Sequence, residues 1–214
     1  MNSVKDKIEE HIHDSWKELF YDKFSNVRMK LLEKVIESDK EESNVFPSKF
    51  EDIFKIFKVP IDKISCCIVG QDPYARAGQA IGRSFAVSEK TPVPLSLRVM
   101  FKEIERTYGH VYTDRTLQHW EDQGVFLLNM ALTVRQERSG SHLPYWEFFT
   151  EDVVRILNDR DIPFLLMGAF AKKLQVKTAV KTLHPAVEGY GKLKFVGNDA
   201  FTELNIWLND KIIW

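Results

Sequence analysis

Residues 64–74 read Ile-Ser-Cys-Cys-Ile-Val-Gly-Gln-Asp-Pro-Tyr, an apolar run from Ile64 to Val69 that breaks off into a polar loop holding a glycine and a proline. A run this short and unbroken suits a strand covered on both faces, because a half-exposed strand would alternate apolar with polar. Three more runs of this kind follow, Val125 to Asn129, Phe164 to Met167, and Lys181 to Leu183. Around them the apolar spacing predicts helices over Leu95–Tyr108, Thr113–Gln123, Trp146–Asn158, Phe170–Gln175 and Asp199 to Asn209. Strands alternating with helices predict an α/β fold, a central short parallel sheet flanked by helices (α/β/α). The amino-terminal third reads as helical instead, with amphipathic stretches near Ile8–Phe20 and Asn26–Ile36.

The 214 residues, 44% of them hydrophobic, are enough for one sizeable core, and no repeat or long linker divides them. One domain over residues 1–214 is expected, with residues 1–44 as a helical part packed on it. Lys and Arg number 30 against 31 Asp and Glu, a net charge of −1. That balance offers no broad basic face, so any nucleic-acid contact must be local. The charged segment with Lys5, Lys7, Glu9 and Glu10 reads as a solvated helix face. Cys66 and Cys67 are adjacent in an apolar run, a spacing that suits neither a metal site nor an ordinary disulfide and fits a reducing compartment. No stretch reaches the roughly 20 apolar residues of a membrane span and no secretory leader pattern opens the chain, so a soluble cytoplasmic or otherwise intracellular protein is expected. No GxxxxGK[ST] loop follows a strand, which argues against a phosphate-cradling nucleotide enzyme.

In an open parallel sheet, ligands bind beyond the carboxyl ends of the strands. Gly70-Gln71-Asp72-Pro73-Tyr74, Asn129, Gly168 and His184-Pro185 stand at those ends. Asp72 is either an Asx-turn residue or a carboxylate that stabilises positive charge or positions a water. His184 is a satisfied turn histidine or an imidazole brought to chemistry. Asn129 is a turn cap, or an amide whose paired donor and acceptor read a base edge. Phe85 is a core aromatic or a stacking platform for a planar base. Ser96, after Pro94, looks like a helix N-cap, at a helix start that would also accept a phosphate.

Taken together these segments resemble the family 1 uracil-DNA glycosylases. Val69-Gly70-Gln71-Asp72-Pro73-Tyr74 with Gly78-Gln79-Ala80 and Gly82 is similar to the family's water-activating loop, and Ser84-Phe85-Ala86-Val87 to its base-stacking segment. Leu127-Leu128-Asn129 running into Leu132-Thr133-Val134-Arg135 resembles the uracil-reading strand. Ser141-His142, Trp146-Glu147, Phe164 to Gly168, Ala171-Lys172-Lys173 and His184-Pro185 continue the match in order and spacing, from about residue 45 to the carboxyl terminus. The resemblance implies a base-excision repair hydrolase that flips uracil from single- or double-stranded DNA and cleaves its N-glycosidic bond. It implies no metal or cofactor, a monomer, and sensitivity to a DNA-mimicking protein inhibitor. By resemblance Asp72 stabilises the sugar cation and orients water, while a neutral His184 hydrogen-bonds the departing uracil oxygen. Asn129 reads the uracil edge, Tyr74 crowds its C5 position, Phe85 stacks on it and Gln71 lines the site. Ser96, Pro94, Pro185, Ala186, Val187 and Tyr190 are expected against the DNA, with Arg76, Lys192 and Lys194 as local cations.

Two departures stand out. Ala75 replaces the family's histidine after the tyrosine, and Ala186-Val187-Glu188-Gly189-Tyr190-Gly191 replaces the segment whose leucine wedges into the duplex. Val187, Tyr190 or Leu193 are then the substitutes for the wedge. The rival reading is a glycosylase-like DNA-binding or replication accessory protein with weakened chemistry; joint retention of Asp72, Asn129 and His184 argues against it.

Overall fold

The computed structural model describes residues 4–20, 27–42, 44–191 and 193–214; Lys192 lies outside the described residues, as do the side chains of Lys5 and Lys7. In chain order the elements are α1 (Val4–Glu9), α2 (Asp14–Phe20), α3 (Val27–Glu42), β1 (Val45–Phe46), α4 (Phe50–Ile53), β2 (Cys66–Gly70), α5 (Leu95–Tyr108) and α6 (Gln118–Asp122). They continue with β3 (Val125–Asn129), β4 (Val134–Arg135), α7 (Leu143–Asp159), β5 (Phe164–Met167), α8 (Gly168–Ala171), β6 (Ala179–Thr182) and α9 (Ala200–Trp207). Between β6 and α9, Pro185–Tyr190 form a 3₁₀ turn.

Four strands make one sheet in the order β3-β2-β5-β6, and every pairing is parallel. The side chains along each strand go alternately to opposite faces. Cys67, Val69, Phe126, Leu128, Phe164 and Leu166 join a core with Trp146, Phe149 and Val153 of α7 and with Ile8, Ile12 and Trp16 near the amino terminus. Cys66, Ile68, Val125, Leu127, Leu165 and Val180 join a second core with Leu97, Met100 and Ile104 of α5, Trp120 of α6 and Phe201 of α9. Burial on both faces is why the strand residues are apolar without alternation. The result is an α/β fold with a four-stranded parallel sheet flanked by helices.

Several boundaries differ from those expected. The last strand covers Ala179–Thr182 rather than Lys181–Leu183, and helix α8 runs Gly168–Ala171, overlapping the expected Phe170–Gln175 only at that range's first two residues. Helix α6 begins only at Gln118, because the Asp114 carboxylate accepts from Thr116 N–H and Oγ1 and from His119 N–H and so holds residues 114–117 as a turn. Ser96 is not the N-cap of α5: Pro94 takes that position, with no side-chain cap, and Ser96 is buried in the first turn. An unexpected antiparallel pair, Val45 with Arg135 and Phe46 with Val134, ties the chain before the domain core to the segment after β3. No described helix is long and apolar enough to cross a membrane.

Candidate active site

The carboxyl ends of β2, β3 and β5 and the turn after β6 open into one cavity of about 440 Å³. Gln71, Asp72, Tyr74, Phe85, Ser96, Asn129 and His184 all line it. Pro94 lies at an adjoining depression shared with Tyr74, Ala75 and Ser139. Pro185, Ala186, Val187 and Tyr190 do not line the cavity; they form the turn that follows His184. Within that turn Pro185 is buried, while Tyr190 is 81% exposed.

Close backbone approach assembles the floor. Met130 N–H donates to the Gly70 carbonyl at 3.1 Å and Ala131 N–H to the Gln71 carbonyl at 2.9 Å, stitching the loops after β2 and β3 together. A Cβ on Gly70 would stand 2.4 Å from Asn129 Oδ1, so a glycine is required where the amide enters the cavity. Asn129 is 6% exposed, and among the described residues none hydrogen-bonds its side-chain amide. Its side chain lines the cavity, with its donor and acceptor unspent on the protein.

Asp72 is held from across the cavity. Its carboxylate accepts from Ser139 Oγ at 3.1 and 3.0 Å and from Gly140 N–H. Burial pushes its pKa above the ordinary carboxylate value, and the donors from Gly140, Ser139 and Gln71 pull it back. The imidazole of His184 accepts at Nδ1 from Ala186 N–H at 3.1 Å. That bond leaves the ring proton on Nε2, and burial holds its pKa below the usual histidine value. His184 is therefore a neutral donor. A Cβ on Gly168 would come within 3.0 Å of His184 Cβ, so this glycine, at φ +94°, makes room for the ring.

Phe85 adopts φ +64°, an uncommon backbone for an aromatic, and its ring lies 5.9 Å from that of His184 at 39°. The segment is clamped on either side. Ser84 N–H donates to the Leu127 carbonyl, and the buried Arg83 forms an ion pair with Glu121 at 2.6 Å. Tyr74 O–H donates to the Phe85 carbonyl at 3.2 Å, holding the phenol in place.

Sequence reasoning placed Gly168 at a strand end but missed Ser139 and the other wall residues Met167 and Ala169 to Ala171, as well as Gly140, whose N–H donates to Asp72. It also missed a buried chain behind the site, in which Trp146 Nε1 donates to Thr133 Oγ1, His142 Nδ1 lies 2.8 Å from that oxygen and His142 Nε2 lies 2.6 Å from Asp39. Cys66 and Cys67 are free and buried, with the Cys66 thiol pushed up to about 12 by burial.

Known proteins show the same arrangement of chain. The model of the uracil DNA glycosylase superfamily matches residues 58–209. A uracil-DNA glycosylase of Azobacteroides pseudotrichonymphae is 34% identical over 92% of this chain and 94% of its own length. One from Flavobacterium johnsoniae is 35% identical over 94% and 95%. A crystal structure of a mimivirus UNG variant in complex with UGI covers 95% of this chain and 88% of its own, at 27% identity and a TM-score of 0.84. The UNG of Nitratifractor salsuginis, 20% identical with a TM-score of 0.73, shares the fold.

Proposed function

Since this chain belongs to the uracil-DNA glycosylase family, hydrolases of N-glycosyl bonds that act on uracil-containing DNA in base-excision repair, we propose that its chemistry runs through Asp72 and His184. A base inside a duplex is out of reach, so the uracil nucleotide must be extruded into the cavity. As the bond between the sugar and uracil N1 lengthens, positive charge grows on the sugar and negative charge on the base. The Asp72 carboxylate stabilises the first and orients the water that adds to the sugar carbon; His184 Nε2–H donates to the uracil oxygen that gathers the second. Uracil leaves with the bonding electron pair; water adds its oxygen to the sugar carbon and gives up a proton, and the uracil anion takes up a proton as it becomes free uracil.

Selectivity follows from donor and acceptor order. Asn129 Oδ1 accepts from uracil N3–H and its amide N–H donates to O4, a pattern that cytosine reverses. Tyr74, fixed on the Phe85 carbonyl, occupies the space a thymine methyl would need. Phe85 stacks on the ring, worth roughly 1 to 3 kcal/mol, and Gln71 completes the wall. Ser96 and Pro94 meet the phosphate beside the flipped nucleotide, and the turn Pro185–Tyr190 meets the strand it left. The observation that supports this reading most is the buried, unpartnered Asn129 amide opening on the same cavity as Asp72 and a neutral His184.

We also read residues 1–214 as one domain, supported by Ile8, Ile12 and Trp16 sharing the core of α7 and the sheet. We place the protein inside the cell, supported by the free thiols of Cys66 and Cys67. The mimivirus relative's complex with UGI supports binding of such an inhibitor here. The test is release of free uracil from uracil-containing but not thymine-containing oligonucleotides, in the presence of a chelator. Asp72→Asn and His184→Ala should each lose roughly 10²- to 10⁴-fold in rate. Wild-type rates in both variants would overturn the assignment.

A further inference from the structure

Ser139 lies on the exposed loop between β4 and α7, yet its hydroxyl reaches both oxygens of the Asp72 carboxylate, at 3.1 and 3.0 Å. The same Oγ accepts from Gln71 Nε2 at 3.2 Å. A hydroxyl that accepts from an amide keeps its own proton to give, so the order Gln71 to Ser139 to Asp72 has one direction. Gln71 itself stands 3.5 Å from Asp72, the limit of a hydrogen bond, and Ala75 in the same loop carries no side-chain donor. The loop does not need Ser139 for its own shape. Gln136 N–H donates to the Asn44 carbonyl at 2.8 Å, Arg135 N–H to Ser141 Oγ at 2.9 Å, and His142 spans Thr133 and Asp39.

We propose that Ser139 is a positioning residue for the glycosylase reaction, whose hydroxyl, with Gly140 N–H, fixes the Asp72 carboxylate so that its remaining lone pairs face the reacting sugar and water. The inference rests on the assignment of Asp72 made above. A carboxylate has about four acceptor directions. Two donors from the β4–α7 loop occupy one side and settle the rotamer. In the free protein water competes with Ser139; DNA closing over the mouth excludes that water and strengthens the bond. The contribution therefore belongs to the bound complex and to kcat.

The other titratable groups that face Asp72 are Tyr74 from its own loop and His184 from the turn after β6, with Glu137 and Arg76 at the adjoining depression. No charge among them shifts Asp72, whose ionisation is set by burial against the donors of Gly140, Ser139 and Gln71. Losing Ser139 removes a donor that favours the anion, so the acid limb of activity must move to higher pH.

The experiment measures kcat, KM for a uracil-containing oligonucleotide and the pH profile of kcat/KM in wild type, Ser139→Ala, Ser139→Thr, Asp72→Asn and the double variant Ser139→Ala/Asp72→Asn. Ser139→Ala should lose roughly 10- to 100-fold in kcat, with KM within about threefold and the acid limb moved up; Ser139→Thr should recover most of the rate. In the Asp72→Asn background the alanine should cost less than about twofold more. An unchanged kcat and acid limb in Ser139→Ala, or an equal loss with and without the Asp72 carboxylate, overturns the inference. A failure of the Asp72 assignment looks different: Asp72→Asn would itself keep the wild-type rate.

Discussion

At the scale of single residues, the proposed mechanism needs two groups to be deprotonated at the same time. Asp72 works as an anion and burial raises its pKa; His184 works neutral and burial lowers its pKa. Both are lost on the same side, since falling pH protonates the carboxylate and adds a proton at Nδ1, where His184 now accepts from Ala186 N–H. The pH profile of kcat/KM should therefore hold level through neutrality and fall on the acid side towards a limiting slope of about 2, reduced to about 1 in His184→Ala. A basic limb in place of the acid one would contradict the assignment. Gly70→Ala argues at the same scale: its Cβ would stand 2.4 Å from Asn129 Oδ1 and drive the amide out of register. A displacement of this size should cost about 100-fold in kcat/KM on uracil-containing DNA, read by the same release assay. The strand-end loops placed Asp72, Asn129 and His184 together in the sequence, while their roles were read from the family resemblance. Ser139 was not legible, since it meets Asp72 across 67 positions and no pattern in its own loop announces the contact.

Elements were legible where their start and stop signals are local. Helix α5 spans Leu95–Tyr108 as expected, with Pro94 at its N-cap and Gly109 at φ +74° closing it. The apolar strands were readable for the same reason, their ends marked by loop residues. The β1–β4 pair was not, because strands of two residues carry no period and Val45 finds Arg135 only in the folded chain. Ser96 was misplaced as a cap because Pro94, with its fixed φ, takes the N-cap position two residues earlier. The segment carrying Phe85 depends on an element it does not belong to: Arg83 pairs with Glu121 of α6 through two bonds of 2.6 and 2.7 Å, with side chains 3% and 13% exposed. Glu121→Ala strands a buried guanidinium and should destabilise the fold by about 3 kcal/mol, the lower end for a broken buried pair because Gln118 and the Thr116 carbonyl still accept from Arg83. Denaturant unfolding measures it, and a loss within about 0.5 kcal/mol would show the clamp to be ornamental.

For the whole molecule, a net charge of −1 means that long-range attraction to DNA cannot supply the few kcal/mol that extruding a base from a duplex consumes. The energy has to come from contacts at the cavity mouth. The turn after His184 is built to present one: Glu188, near the position of the family's wedge, turns its carboxylate back to accept from Phe195 N–H at 2.7 Å, and Val187 packs on the α5 core. Tyr190 is left projecting at 81% exposure, with Leu193 at 53% beyond it. An aromatic at that tip can enter the stack as the uracil leaves it and gain roughly 1 to 3 kcal/mol from the flanking bases. Tyr190→Ala should then lose roughly 10-fold in kcat/KM on duplex uracil paired with adenine. It should lose less on uracil opposite guanine, where the pair is already weaker, and almost nothing on single-stranded DNA. Because the single-stranded substrate uses the same cavity and differs only in having no stack to hold open, an equal loss on all three substrates would place Tyr190 in general DNA contact and leave the wedge to Leu193.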